Sequence, residues 1–448
     1  AGYDTNRDVH FWSSSNTSNY YPQFLCATLS GSTFTLRSTT NILSNDQTGN
    51  SMVTCFHPPT NLVVFFNQES EQNYVMPITI GSGGTSVTLG SNQSLGIGGT
   101  KGNPVRAVYD EDSGYIVMMM VDVTVRPRLI AVKPSGSGGS ASVAVGTSNQ
   151  IFSDTVKYPD LYYDKSQNKI VAGYTDDNQS NKFYLHEITV NASDGSLSSG
   201  TRVVLSSDAQ KYSSMVYDEN AERGIYVGGS GGADANAYQA MAIQLSSGSF
   251  TIGTALAKAD FADIITTGGE TTRSRGNYSK GRPIIYHPSA KATYFFFRFQ
   301  ATTYLGAWAI TCSGNTLTAS TSITTSATSL SRSEIGLSYD PDTEYLGIFS
   351  NAYVSSAHQQ YFQAFRPAFS TTNLTATNFV GIADSALGAG AAGSVIVQGG
   401  TVTGLSSLTA GSSYYVRPDG TFNTSAGSPS VKAGLAISTT ALLLNGDS

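Results

Sequence analysis

VRAVYDEDSGYIVMMM (Val105–Met120), PDLYYDKSQNKIVAGY (Pro159–Tyr174) and SSMVYDENAERGIYVGG (Ser213–Gly229) share one grammar. Each has an apolar run ending in Tyr-Asp, a short polar turn and a second run of strand formers. The pattern returns in TCFHPPTNLVVFF (Thr54–Phe66), IIYHPSAKATYFFF (Ile284–Phe297) and LSYDPDTEYLGIF (Leu337–Phe349), with His in place of Asp in the first two. Aligned on the aromatic, Phe56, Tyr109, Tyr163, Tyr217, Tyr286 and Tyr339 are separated by 53, 54, 54, 69 and 53 residues. A fixed period of this length marks a repeat architecture.

Each unit continues alike. A third run follows (for example Arg128–Gly136 and Lys182–Val190), then a shorter fourth after a Gly/Ser/Asn turn, as in SVTLGS, SVAVGTS and RVVLSS. Four short strands joined by turn residues make one antiparallel sheet. A series of such sheets buries its faces between neighbours when it closes radially, so the reading is an all-β chain with a β-propeller. The opening AGYDTNRDVHFW supplies a seventh unit, because Tyr3 precedes Phe56 by 53 residues. Seven blades of about 54 residues are expected over 1–379. Only two residues precede Tyr3, where other units have about five, so the encoded protein is expected to extend upstream of Ala1.

Composition narrows the partners. Charged residues are 12% of the chain and the net charge is −6, which leaves no basic footprint for nucleic acid. No apolar run reaches the length of a membrane span. Cys26, Cys55 and Cys312 lack metal-site spacing and are expected as small buried side chains rather than a disulfide framework. The repeated Asp (Asp4, Asp110, Asp164, Asp218, Asp340) reads as a turn former that bonds its own backbone, although DEDSG and DPDTE resemble the start of a calcium loop. Replacement by His57 and His287 suits a turn and not a cation ligand. The repeated aromatic reads as core, facing the next blade.

The sialidase-type Asp box, a G-x-S-x-G elbow and H-E-x-x-H are all absent from the sequence. The chain is therefore expected to be non-enzymatic, with no cofactor or metal. The long fifth step places its extra residues within Lys258–Arg282, where Arg273, Arg275, Tyr278, Lys280 and Arg282 concentrate in a charge-poor chain. Long loops carry function, and Arg and Tyr favour interfaces, so these five are the expected ligand or subunit contact.

The repeat stops near 379, and 380–448 reads as a small Gly-rich β module whose YYVRPDGTF marks a hairpin with Asp419-Gly420 at its tip. FVGIA (Phe379–Ala383), VIVQGGTV (Val395–Val402), the run Leu408–Thr421 and VKAGLAISTTALL (Val431–Leu443) occur there in order. Together they resemble a C-terminal module of tailed-bacteriophage structural and tail-fibre proteins, notably marine ones. The resemblance covers about 70 residues of the 448 and implies an extracellular virion protein. Its expected role is a tail-fibre or appendage component contributing to host attachment. Its expected partners are other virion proteins, a host-surface glycan or protein, and further copies of itself. Two alternatives stand beside this: a purely structural virion subunit (nozzle, baseplate, decoration or filament), and a polysaccharide-degrading propeller enzyme.

Overall fold

The computed structural model describes residues 1–15, 22–42, 52–69, 72–96, 103–121, 126–150, 153, 155–230, 238–256, 264–265, 283–299, 305–320, 323–324, 335–354, 357–367, 379–385, 393–416, 421–426 and 430–445. The chain forms two compact units, Ala1–Arg366 and Pro367–Ser448. The first is a seven-bladed β-propeller. The first strands of the blades are Gly2–Asp4, Met52–His57, Asn103–Asp110, Val156–Asp164, the second half of Val203–Asp218, Ile284–His287 and Ile335–Asp340. Each contacts the first strand of both neighbours, and the last meets the first, so the ring is closed.

Alternation explains why the second strands read as unbroken apolar runs. Ile116, Met118 and Met120 pack toward blade two, while Val117, Met119 and Val121 pack toward blade four. Successive side chains of a strand point to opposite faces, and both faces of a blade are buried. One such cluster fills each of the seven junctions. RVVLSS, expected as a separate fourth strand, instead opens one continuous strand, Val203–Asp218. Its start pairs with the third strand of blade four and its end is the first strand of blade five.

Inside the ring, one repeat position carries a buried polar relay. Arg106, Asp160 and Ser214 lie three residues before the aromatics of blades three, four and five. Arg106 Nε donates to Asp160 Oδ1 at 2.6 Å, and Ser214 Oγ and Met215 N donate to Oδ2 at 2.8 Å each. A buried ion pair is sustained only when its remaining lone pairs are bonded, as they are here.

The turn between first and second strands is built as the Asp spacing predicts. Oδ1 of Asp4, Asp110, Asp164, Asp218 and Asp340 accepts the N–H two residues on, at 2.9–3.1 Å. The repeated aromatic departs from a plain core role. Tyr3, Tyr217 and Tyr286 are buried, but Phe56, Tyr109, Tyr163 and Tyr339 are half-buried, because the ring reaches back over the preceding blade's turn. Tyr217 Oη accepts from Ser166 N at 3.1 Å, and Tyr286 Oη accepts from Asn220 N at 3.2 Å. Where His replaces Asp, Nε2 donates forward to the next blade's turn. His57 reaches Gly114 O at 3.1 Å and His287 reaches Glu344 O at 3.0 Å, with Tyr109 and Tyr339 edge-on to the imidazoles.

The seventh junction joins residues far apart in sequence. Trp12 stacks on Phe349 with centroids 4.5 Å apart. Buried His10 Nδ1 lies 2.7 Å from Ser338 Oγ, and its Nε2 lies 3.7 Å from Asp340 Oδ2. Burial raises the Asp340 carboxyl, but the adjacent His10 and the bonds from Thr343 and the turn N–H groups outweigh it and hold the group well below the usual carboxylate range. Gly347, paired with Ser338, makes room for this contact: a Cβ there would sit 2.7 Å from Ser338 Oγ and 3.1 Å from His10 Nδ1.

In the second unit, Gly381–Ala383 pairs with Val395–Val397. A five-stranded sheet runs Thr401–Val402, Leu442–Leu444, Lys432–Ala436, Ser413–Val416, Phe422–Asn423. Val416 opposite Phe422 gives the expected hairpin; its tip lies outside the described residues.

Two predictions follow from the junctions. Gly347→Ala should destabilise the propeller by about 1–3 kcal/mol in denaturant unfolding, the cost of overpacking a filled site. Most of that loss should vanish in the Ser338→Ala background, where the clashing hydroxyl is gone. The second concerns pH. Burial lowers the His57 and His287 pKa, with Lys133 acting in the same direction on His57 and the Gly114 carbonyl opposing it; at His287 the Glu344 carbonyl and carboxylate oppose the shift. A depressed folded value means the neutral imidazole is the stable form, so this stability is complete above the ordinary value of about 6.5 and is lost as pH falls below it. The His57→Asn/His287→Asn variant keeps a turn-forming side chain but cannot titrate. Its melting temperature should fall less than the natural protein's between about pH 7 and 5.5; parallel curves would count against the assignment.

Candidate axial binding site

The first strands of blades one to five line an open cavity of about 320 Å³ inside the ring. Phe11, Phe56, Tyr109, Tyr162, Tyr163 and Tyr217 supply rings to its wall, with Thr54 and Cys55 among the smaller neighbours. Four of these aromatics are the repeated residue itself, each one peptide unit before its turn. The cavity therefore lies at the end of the axis where the seven turns gather. Its volume is at the lower end of small-ligand sites, and its lining presents polar and apolar surface in equal measure.

The hydroxyls are held protonated. Burial, then Asp110, pushes Tyr163 up to about 12. Burial also raises Tyr109, with Glu111 and Asp110 adding to it, and raises Tyr217 and Tyr162. At neutral pH these groups donate and accept hydrogen bonds rather than act as phenolate bases. Thr54 carries a buried hydroxyl with no hydrogen-bond partner among the described residues. Cys55 is half-buried in the wall, whereas Cys26 and Cys312 are buried and their thiols are pushed up to about 12 and about 11 by desolvation. None of the three is in a disulfide, and Cys55 Sγ donates to Phe56 O at 3.7 Å. Aromatic faces and neutral hydroxyls around a small open cavity suit a ligand with both C–H faces and hydroxyl edges.

The sites expected from sequence fall elsewhere. Arg273, Arg275, Tyr278, Lys280 and Arg282 all lie outside the described residues. Of the two calcium-like turns, the one at Asp340 brings its carboxylates together with Asp8: oxygens of Asp8, Asp340 and Asp342 lie within 4.8 Å of one another. Asp340 is already engaged by Asp342 N, Thr343 N and Thr343 Oγ1, and Asp8 accepts from Tyr3 Oη at 2.6 Å. Those bonds account for the cluster as turn and closure chemistry. The cavity wall was visible in the sequence only as the repeated aromatic. Its half-buried position and its company of Thr54 and Cys55 come from ring closure, which no local pattern encodes.

No protein-family model matches the chain, and no curated protein matches it. Among solved structures, a protein from Lactobacillus plantarum superimposes with a TM-score of 0.50 at 13% identity, over 80% of this chain and 97% of that one. The periplasmic gluconolactonase PpgL of Pseudomonas aeruginosa gives 0.48 at 10% identity, over 82% and 88%. The polysaccharide lyase Uly1 gives 0.49 at 9% identity, over 80% and 88%. At these identities the likeness concerns fold. The expectation that the chain is non-enzymatic is not upheld, because this fold hosts enzymes and binding modules alike and by itself assigns neither. The missing motifs exclude only their own chemistries. On a propeller, reacting groups come from loops of different blades, and no linear pattern joins them. What the comparisons establish is the propeller.

Proposed function

We propose that the propeller engages polysaccharide, with a sugar unit seated in the axial cavity. The observation that carries this is the wall itself: six aromatic rings and several protonated phenols around about 320 Å³. Stacking of sugar C–H faces on rings, with hydroxyls bonded at the edges, is the interaction such a wall supplies. The polysaccharide-degrading alternative shares this site, and turnover is measured in the same experiment. In the virion setting implied by the module at 380–448, engagement of a surface glycan attaches the particle to its host.

Cys55 provides the readout, since it alone of the three thiols is not buried. A neutral β-1,4-glucan, a mannan and a galactan, as polymers and as short oligomers, should slow alkylation of Cys55 in a saturable manner for at least one of them. Tyr163→Ala should weaken that protection about tenfold, the value of one aromatic contact, and Tyr163→Phe should retain most of it. New chain ends in the same mixtures would identify a degrading enzyme. Alkylation unchanged by every glycan would sink the proposal.

A further inference from the structure

The propeller's charge is unevenly placed. The seven turns at 4–8, 57–61, 110–114, 164–168, 218–223, 287–291 and 340–344 contain 12 of the chain's 31 carboxylates and 4 of its 25 cations. The remainder of the chain, with 19 carboxylates and 21 cations, is close to neutral. These turns touch one another around the ring. Arg7 Nη1 donates to Asn61 O, His57 to Gly114 O, Tyr217 binds Ser166 N, Tyr286 binds Asn220 N, and His287 donates to Glu344 O. They thus form one acidic annulus at one end of the axis.

Five of its carboxylates are buried as turn acceptors. Asp8, Glu111, Asp112, Glu219, Glu222 and Asp342 are exposed, and with Lys133 on Ser113 O at 3.5 Å and Arg366 on Glu344 at 2.7 Å the annulus holds 12 carboxylates against six cations. Arg7 pairs with Asp4 at 2.9 Å and Lys165 with Glu111 at 3.7 Å, and each pair removes one charge of each sign, so the excess of carboxylates stands. The cavity opens within this annulus, because Phe56, Tyr109, Tyr163 and Tyr217 each directly precede a turn. Its lining side chains are uncharged. A cleft ringed by one sign of charge focuses potential and sorts what enters it.

We infer that the annulus makes the cavity mouth a charge filter, which favours amine-bearing sugars, accepts neutral ones and turns away carboxylated ones such as uronates. The glycan part rests on the function proposed above; the filter itself does not.

Two arms separate them. In the first, Cys55 of the whole chain reacts with a trimethylammonium-bearing and a sulfonate-bearing methanethiosulfonate, each rate normalised to that of free glutathione. The thiolate attacks the reagent sulfur, a disulfide forms and methanesulfinate leaves; the Cys55→Ser chain is the blank. At an ionic strength of about 0.01 M the cationic reagent should be faster by about tenfold, and the gap should close near 1 M. A Glu111→Lys/Asp112→Lys/Glu219→Lys chain, altered only at exposed positions, should abolish or invert the order. Equal normalised rates, or a faster anionic reagent, overturn the filter. In the second arm, an oligoglucosamine, its fully N-acetylated form and an oligogalacturonate compete for Cys55 protection. Protection in that descending order supports the sugar assignment. Strong protection by the uronate overturns it. Charge-selective labelling with no protection by any of the three sustains the filter and overturns the glycan reading.

Discussion

A seven-membered ring closes only if every blade meets the next in nearly the same way, and here that geometry is set at the turn ending each first strand. A tight turn leaves N–H groups pointing inward, and an Asp side chain accepts them. Packing the next blade against the turn buries that carboxylate, and a buried charge needs donors. The following tyrosine covers the same turn and its hydroxyl shares a turn N–H: Tyr217 Oη accepts from Ser166 N beside Asp164, and Tyr286 Oη accepts from Asn220 N beside Asp218. Burial still dominates, and it raises both carboxyls. Each such bond contributes about 1 kcal/mol, yet it fixes the angle at which the large apolar clusters of the junctions come together.

Histidine meets the same geometry by the opposite polarity. His287 Nδ1 accepts the N–H of Ala290 as an Asp would, and its Nε2 donates to the next turn's carbonyl. The neutral imidazole therefore replaces the carboxylate as turn acceptor and adds a hydrogen bond to the next blade's turn. His10 is a different case. Its counterparts in the other second strands are Val63, Ile116, Ile170, Gly224, Thr293 and Leu346. A buried imidazole among mainly apolar counterparts marks the one junction where the two ends of the repeat array meet.

Much of this was legible in advance because the repeat is dense in local signals. The Tyr-Asp period predicted the blades, the apolar runs predicted sheets buried on both faces, and the His substitutions pointed to turns. What stayed hidden depends on contacts across blades. His10 and Ser338 are 328 residues apart. The aromatic looked like core because its pattern is apolar; only closure shows that its hydroxyl edge serves a neighbour while its ring lines the axis. The strand Val203–Asp218 could not be foreseen as one piece, since its two halves pair with different blades. Silence of catalytic motifs excludes only the chemistries those motifs encode, because motifs are linear and a propeller assembles its sites around a ring.

The acidic annulus separates what the fold requires from what it does not. Turn formation requires one acceptor per turn, and that acceptor is buried: Asp4, Asp110, Asp164, Asp218 and Asp340 are at most 3% exposed. Glu111, Asp112, Glu219 and Glu222 follow two of those acceptors, and their carboxylates are exposed. Asx-turn geometry would be satisfied by Ser, Asn or Gly at those places, residues the chain uses freely in its other turns. In a chain where charge is scarce, such a concentration sets the dominant field at this end of the axis. The buried acids build the ring, while the exposed ones act on whatever approaches its mouth.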